Sequence, residues 1–116
     1  MELLEWDGEV ARGRFEVAER VRQPYGIVHG GAYATLAESV CSHATYAAVA
    51  PEGKLALGMT NDTSFLRPIA EGSVTAVARA RHRGRTTWVW EVDFIDDQGR
   101  LCALSRLTIA VRPGPG

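Results

Sequence analysis

The chain has 116 residues, of which 46% are hydrophobic and 23% charged, and its formal net charge is -1. This length predicts one globular domain over residues 1–116, because two separate cores would each be too small to be stable. The small net charge and a pI near 6.3 argue against a nucleic-acid binder, whose affinity depends on Lys and Arg facing phosphates.

The N-terminal segment MELLEWDGEV has neither the basic start nor the apolar stretch of a signal peptide. Nowhere does the sequence contain a run of roughly 18 apolar residues, the length needed to span a bilayer. We therefore expect a cytoplasmic protein without a membrane partner. A first strand or pair of strands is predicted from Glu2 to Val17, broken at Asp7-Gly8.

A long helix is predicted in the first half of the chain. The loop before it extends from Arg22 to Val28, where Pro24 and Gly26 interrupt regular structure. The helix itself is predicted from about Gly30 to Val49. It ends before Pro51-Glu52-Gly53, a cluster of residues that stops helices.

Beyond the helix, the apolar residues change to the alternating pattern of half-buried strands. The predicted strands are Leu55 to Leu66, Val74 to Arg81, Thr87 to Phe94 and Leu101 to Val111. Residues 96–99, Asp-Asp-Gln-Gly, are predicted to join the last two strands as a hairpin. The result is an α+β domain in which an antiparallel sheet must wrap one long helix.

Glu38 is the one acidic residue in a long stretch without other charges. Between Gln23 and Pro51 the sequence holds no Asp, Lys or Arg, and no second Glu. A helix of this composition is expected to be largely buried, and a carboxylate held away from water is costly unless it is paired or used chemically. We therefore favour a functional Glu38 over the alternative of an ordinary solvated side chain.

Both sides of the predicted helix are poor in charge. The stripe expected to pack on the sheet consists of Tyr33, Leu36, Val40, Ala44 and Ala47. The other side carries small and polar residues, namely Gly31, Ala34, Thr35, Glu38, Ser42, Thr45 and Val49. Because one chain has a single sheet, we expect a second copy to cover this other side. The prediction is a homodimer with Glu38 and Ser42 near the interface.

The helix start and Glu38 together suggest a site for a carbonyl compound. Glu38 and Ser42 are four residues apart, so the hydroxyl can bond the carboxylate or a water between them. The His29-Gly30-Gly31 turn adds backbone N–H groups where helices concentrate positive potential and where glycine lets a ligand approach. One chain's helix start and another chain's Glu38 would then face one carbonyl, as oxyanion donor and as base or nucleophile.

The two cysteines, Cys41 and Cys102, are isolated and lack the spacing of metal-binding motifs. We expect small buried side chains here rather than a disulfide or metal ligands. No metal site is predicted.

In several of its segments the chain resembles the hotdog-fold acyl-CoA thioesterases. It is most similar to the group with the phenylacetate-pathway, enterobactin-proofreading and Arthrobacter-type 4-hydroxybenzoyl-CoA enzymes. The segments that carry the resemblance are Gln23, VHGGAYATLAES, Ser42, TNDTSFLRPIAEG and HRGRTTWVWEVDFIDDQGRLCALSRLTI. Longer members of the group have an additional N-terminal segment that this sequence largely lacks. Glu rather than Asp at position 38 favours the Arthrobacter and enterobactin branch.

The resemblance implies a five-stranded antiparallel sheet wrapped around one long central helix, with homodimers that form composite sites and often pair into homotetramers. It implies that Glu38 is the general base or nucleophile and that the Gly30 N–H polarises the thioester carbonyl. Gln23 would support that carbonyl, and His29 would bind the thioester or the leaving thiolate. Ser42 would hold the water or orient Glu38. Direct attack by the carboxylate, through an anhydride, and attack by an activated water both remain open.

The substrate implied by the resemblance is a small acyl-CoA, aromatic or of medium length, and coenzyme A enters only as part of it; no other cofactor is expected. Its phosphates would suit Arg83, Arg85 and Thr86, which the sequence places at a turn. The arginines on strands are expected instead to form cross-strand ion pairs, in which Arg79, Arg81 and Arg106 face Glu91 and Asp93.

Three other functions compete with this interpretation. A non-catalytic acyl-CoA-binding module is disfavoured because Gln23, Glu38 and Ser42 occur together. A hydratase of the same fold would need an acidic residue a few positions before His29, and none is present. A thioesterase that acts on acyl carrier proteins stays open, because the sequence does not identify the carrier of the acyl group.

Overall fold

The computed structural model describes residues 2–6, 9–16, 30–69 and 71–115. Within these residues the chain forms a 20-residue helix, α1 (Gly30–Val49), and six strands. The strands are β1 (Glu2–Trp6), β2 (Val10–Glu16), β3 (Lys54–Phe65), β4 (Ser73–Arg83), β5 (Thr87–Ile95) and β6 (Leu101–Pro113). None of the described helices is long and apolar enough to cross a membrane.

The helix has the bounds that the sequence predicted. It ends at Val49, and one turn of 3₁₀ helix follows over Ala50–Glu52, with Pro51 in its first positions. Gly53 then adopts a left-handed φ of 74°, and its N–H donates to the Ala50 carbonyl at 2.8 Å. Glycine takes this conformation without steric cost, so it directs the chain from the helix into β3.

The strands form one antiparallel sheet in the order β1-β2-β4-β5-β6-β3. The sheet curves around α1, which packs against every strand from β2 to β6. The resemblance implied five strands. The described sheet has six because the N-terminal segment forms a pair, β1 and β2, as the break at Asp7-Gly8 indicated.

The core lies between α1 and the concave face of the sheet. Alternate residues of β4 and β5 are buried, as their sequence pattern predicted, and these are Val74, Ala76, Ala78, Trp88, Trp90, Val92 and Phe94. Cys41 and Cys102 are also buried, and both are free thiols. Burial raises the pKa of the Cys41 thiol and is the main cause of a raised pKa at Cys102, so both are poor nucleophiles at neutral pH.

The predicted faces of α1 need a correction near its C-terminal end. Thr45 and Val49, assigned to the side away from the sheet, are buried in the core, whereas Ala47 of the expected packing stripe is exposed. Thr45 donates to the Cys41 carbonyl at 2.7 Å and accepts the indole N–H of Trp90 at 2.9 Å. Twisted strands cross the helix obliquely, so the side that they cover rotates along its length.

Candidate active site

The helix α1 carries three of the predicted site residues. Gly30 is its first residue, and Glu38 and Ser42 follow one turn apart in its middle. At a rise of about 1.5 Å per residue, Glu38 lies roughly 12 Å along the axis from Gly30. Within one chain, therefore, the N–H of Gly30 and the carboxylate of Glu38 are too far apart to hold the same carbonyl group.

Two predicted site residues, Gln23 and His29, lie outside the described residues. Their assignments to the thioester carbonyl and the leaving thiolate stay predictions. Ser42 is half-buried, and no hydrogen bond joins it to Glu38 in the part of the chain that the structure describes.

The Glu38 side chain lies against strand β3. In the single chain it is exposed, and it lines a cavity of about 90 Å³ with Gly58, Met59, Thr60, Asn61 and Leu107. This volume admits at least one water molecule. Among the described residues that line the cavity, Glu38 is the one acid, so a water or ligand there would lie beside its carboxylate.

A β-bulge in β3 shapes this cavity. Gly58 pairs with Ile109 and Thr60 with Thr108, so Met59 has no opposing residue on β6. A Cβ atom at position 58 would lie 2.8 Å from Glu38 Oε1, closer than real Cβ atoms approach other atoms. The absence of a side chain at Gly58 therefore allows β3 to approach the carboxylate, and bulges are common beside active sites.

Asn61 of β3 also contacts the helix at this point, which the sequence reasoning did not foresee. Its Nδ2 donates to the carbonyl of Ala34 at 3.0 Å. Its Oδ1 accepts from Thr63 Oγ1 at 2.8 Å, and Thr63 Oγ1 lies 2.6 Å from the Oγ of buried Ser105. The segment TNDTSF carries part of the family resemblance, but no local pattern in it indicates that its asparagine reaches α1.

The residues predicted to bind phosphate lie together at the β4–β5 turn. Arg83 ends β4, Arg85 and Thr86 form the turn, and all three are exposed. The carbonyl of Thr86 accepts from Arg112 Nη1 at 2.7 Å and from the N–H of Val111 at 2.9 Å, which fixes the turn to β6. A depression of about 260 Å³ beside it is lined in part by Arg79, Arg81 and Arg83.

The predicted cross-strand ion pairing is confirmed for one arginine. Arg81 Nε lies 3.0 Å from Glu91 Oε1, and both side chains are more than half exposed. For Arg79 and Arg106 the described residues show no such pair. No group of three or more His, Cys, Asp or Glu side chains suited to hold a metal ion occurs among the described residues.

Strand β3 is the last strand in the described sheet order, so its outer edge faces no other described strand. Several large apolar side chains in and just after this strand are more than half exposed: Leu57, Met59, Phe65 and Leu66. An open edge with apolar side chains is a typical surface for pairing with another chain.

Known thioesterases resemble this chain in both sequence and fold. Residues 25–103 match the family model described as the thioesterase superfamily. The 1,4-dihydroxy-2-naphthoyl-CoA hydrolase of Escherichia coli (strain K12) is 40% identical over 95 residues, which cover 82% of this chain and 69% of that protein. The proofreading thioesterase EntH of Cronobacter turicensis is 40% identical with the same two coverages. The crystal structure of a mutant thioesterase from Pseudomonas aeruginosa matches with a TM-score of 0.91 at 40% identity, covering 96% of this chain and 80% of that chain.

Proposed function

The chain belongs to the thioesterase superfamily, and on that premise we propose that it hydrolyses a small acyl-CoA to the free acid and coenzyme A. The observation that carries the proposal is the position of Glu38, the one acid in its stretch of the chain, over a bulged strand and a small cavity. The name of the relative from Escherichia coli specifies a CoA ester of an aromatic acid, which supports an aromatic acyl group here.

In the proposed site, Glu38 acts on the thioester carbonyl carbon and the Gly30 N–H stabilises the oxygen. Glu38 either adds to the carbon and expels the thiolate, leaving an anhydride that water opens, or accepts a proton from the water that adds. Gln23 supports the carbonyl, His29 binds the thioester or the thiolate, and Ser42 orients Glu38 or its water. Both routes need an ionised Glu38, so the rate should fall on acidification.

The distance along α1 supports a site built from two chains. Because Gly30 and Glu38 of one helix are roughly 12 Å apart, the helix start that meets a given Glu38 belongs to a second copy. Pairing of two β3 edges would join the sheets and cover the exposed apolar residues of both copies. We therefore propose a homodimer with two composite sites, which pairs further into a homotetramer.

Contacts to the phosphates of coenzyme A are assigned to Arg83, Arg85 and Thr86. The support for this assignment is their exposure at one turn, beside a depression rich in arginine. Guanidinium groups bind phosphate oxygens through two parallel hydrogen bonds, so a cluster of arginines at a turn suits this ligand.

The central experiment compares the parent protein with Glu38→Gln. A panel of aromatic and aliphatic acyl-CoA esters is supplied, and release of free thiol is measured. We expect the variant to lose turnover by at least about a hundredfold, the scale seen when a catalytic acid–base group is removed, while its thermal unfolding stays close to that of the parent. Equal turnover of the two proteins would exclude the assignment of Glu38.

The same assay separates the competing functions. Each acyl group is also supplied as a thioester of an acyl carrier protein. Faster hydrolysis of this thioester than of the acyl-CoA would identify the acyl carrier protein as the natural carrier of the substrate. Tight binding of acyl-CoA without thiol release in the parent would instead indicate a non-catalytic binding module.

A further inference from the structure

The contact between Asn61 and α1 lies beside Glu38 and has no part in the roles assigned above. Asn61 belongs to β3, yet its amide reaches the helix carbonyl of Ala34. In an α-helix the carbonyl of residue 34 also accepts the backbone N–H of residue 38. The asparagine thus holds the peptide group to which the backbone of Glu38 is bonded.

The hydrogen bonds around Asn61 have a fixed direction. The carbonyl of Ala34 can only accept, so Nδ2 of the amide must face it and Oδ1 must face Thr63. Thr63 has one hydroxyl proton, which it donates to Oδ1, so the proton of the bond to Ser105 comes from Ser105. Ser105 is 2% exposed, so the series begins in the core and ends at the helix turn before Glu38.

Asn61 and Glu38 also line the same cavity. A shift of the helix turn relative to β3 would therefore change the distance between the carboxylate and the bulge at Gly58. The bond from Asn61 to the Ala34 carbonyl fixes β3 to the helix turn that precedes Glu38, at the point where Glu38 needs a defined position.

We propose that Asn61 is a positioning residue for Glu38, which it holds over the β3 bulge through the Ala34 carbonyl, with Thr63 and Ser105 fixing its amide. This inference rests on the proposed function, since it assigns Glu38 a catalytic task. Both ends of the Asn61 amide are bonded within the protein, so its proposed role is exerted through Glu38.

The test uses two substitutions that remove the donor. Asn61→Leu removes it without adding charge, and Asn61→Asp replaces it with an acceptor of the same shape. We expect kcat to fall roughly 10- to 100-fold in both with little change in KM, since small displacements of a catalytic group have effects of this size. In Asn61→Asp, the new carboxylate shares the cavity with Glu38, so the acidic limb of the pH–rate profile should move to higher pH.

A control places one negative charge outside β3. Gln98 in the β5–β6 hairpin is exposed and does not line the cavity, so Gln98→Glu should leave kcat and the acidic limb at their parental values. Thr63→Val, which frees the amide at its other end, should lower kcat in the same direction by a smaller factor. Asn61 variants with kcat within twofold of the parent and an unmoved acidic limb would overturn the proposal.

A measurement that does not depend on turnover distinguishes failure of the Asn61 proposal from failure of the proposed function. The carboxyl carbons of labelled glutamates are titrated by NMR, and the Glu38 signal is assigned from its loss in Glu38→Gln. Asn61→Asp should move that titration to higher pH, and Gln98→Glu should not. If no acyl thioester is hydrolysed but the Glu38 titration moves as expected, the proposed function is wrong and the placement of Asn61 stands. An unmoved titration overturns the placement whether or not the parent is active.

Discussion

Tyr33 places a hydroxyl group in the core, where no described residue is its hydrogen-bond partner. The residue is 4% exposed, and its ring contacts those of Phe15, Phe65 and Phe94, with centroids 5.2–6.1 Å apart. Burial, with smaller contributions from Cys102 and Asp96, raises the pKa of Tyr33 to about 12. An unpaired buried hydroxyl costs free energy that the aromatic ring contacts must offset.

Tyr33→Phe should therefore stabilise the fold. Removing the unpaired hydroxyl while keeping the ring is expected to raise the free energy of unfolding by roughly 1 kcal/mol at pH 8, measured by urea denaturation. In the parent, the unfolded chain loses the Tyr33 proton near pH 10 but the folded chain only near 12, so stability declines across this window. The variant lacks that decline, so its free energy of unfolding should exceed that of the parent by more at pH 11 than at pH 8.

Tyr46 provides the control for this prediction. It lies on the same helix but is 49% exposed, so Tyr46→Phe should leave the stability at pH 8 unchanged. A Tyr33→Phe protein less stable than the parent at pH 8 would show that the hydroxyl has a partner.

At the scale of secondary-structure elements, the sequence predicted most of the fold. The bounds of α1, the four downstream strands and the Asp96 hairpin follow from local signals: helix breakers, alternation and turn residues. The positions of Gly30, Glu38 and Ser42 follow in turn, because helix geometry fixes them relative to one another. The rotation of the buried side toward Thr45 and Val49 could not be read from the helix alone, since it depends on how the twisted strands cross it.

The part of the candidate site that β3 contributes also could not be predicted from the sequence. Asn61 meets Ala34 across 27 residues of chain, and Gly58 meets Glu38 across 20. Both contacts depend on the bulge at Met59, and a shift of one residue in a strand reverses which face each side chain occupies. Hydrophobic alternation does not report such a shift.

The bulge leads to a prediction for Gly58→Ala. The added methyl group would displace the Glu38 carboxylate, whose flexible stem can move, so the free energy of unfolding should change by less than about 1 kcal/mol. The displacement should lower kcat by about tenfold or more, because the carboxylate no longer reaches its working position. Steady-state kinetics and thermal unfolding measure the two effects, and parental kcat in a folded Gly58→Ala protein would contradict the prediction.

At the scale of the whole molecule, a composite site predicts that two inactive variants restore each other. Glu38→Gln and Gln23→Ala are each expected to be inactive as homodimers. After unfolding and refolding together in equal amounts, half of the dimers contain one chain of each kind, and one of their two sites has both Glu38 and Gln23. About one quarter of the parental activity should return.

Two controls accompany the mixing experiment. Light scattering should give a mass of two or four times the 12.6 kDa of the chain, and refolding each variant alone should restore nothing. No recovery in a refolded, dimeric mixture would show that the Gln23 and Glu38 of each site belong to the same chain.

The hydrogen bond between the Trp90 indole and Thr45 links the tryptophan fluorescence of the protein to the packing of α1 on the sheet. The indole lies in the core, 6.0 Å from the ring of Trp88, and its N–H is bonded to the helix. Separation of α1 from the sheet would expose both indoles to water and shift their fluorescence to longer wavelength. Tryptophan emission therefore shows whether the helix that carries Glu38 is packed against the sheet, with no substrate, label or coupled enzyme added.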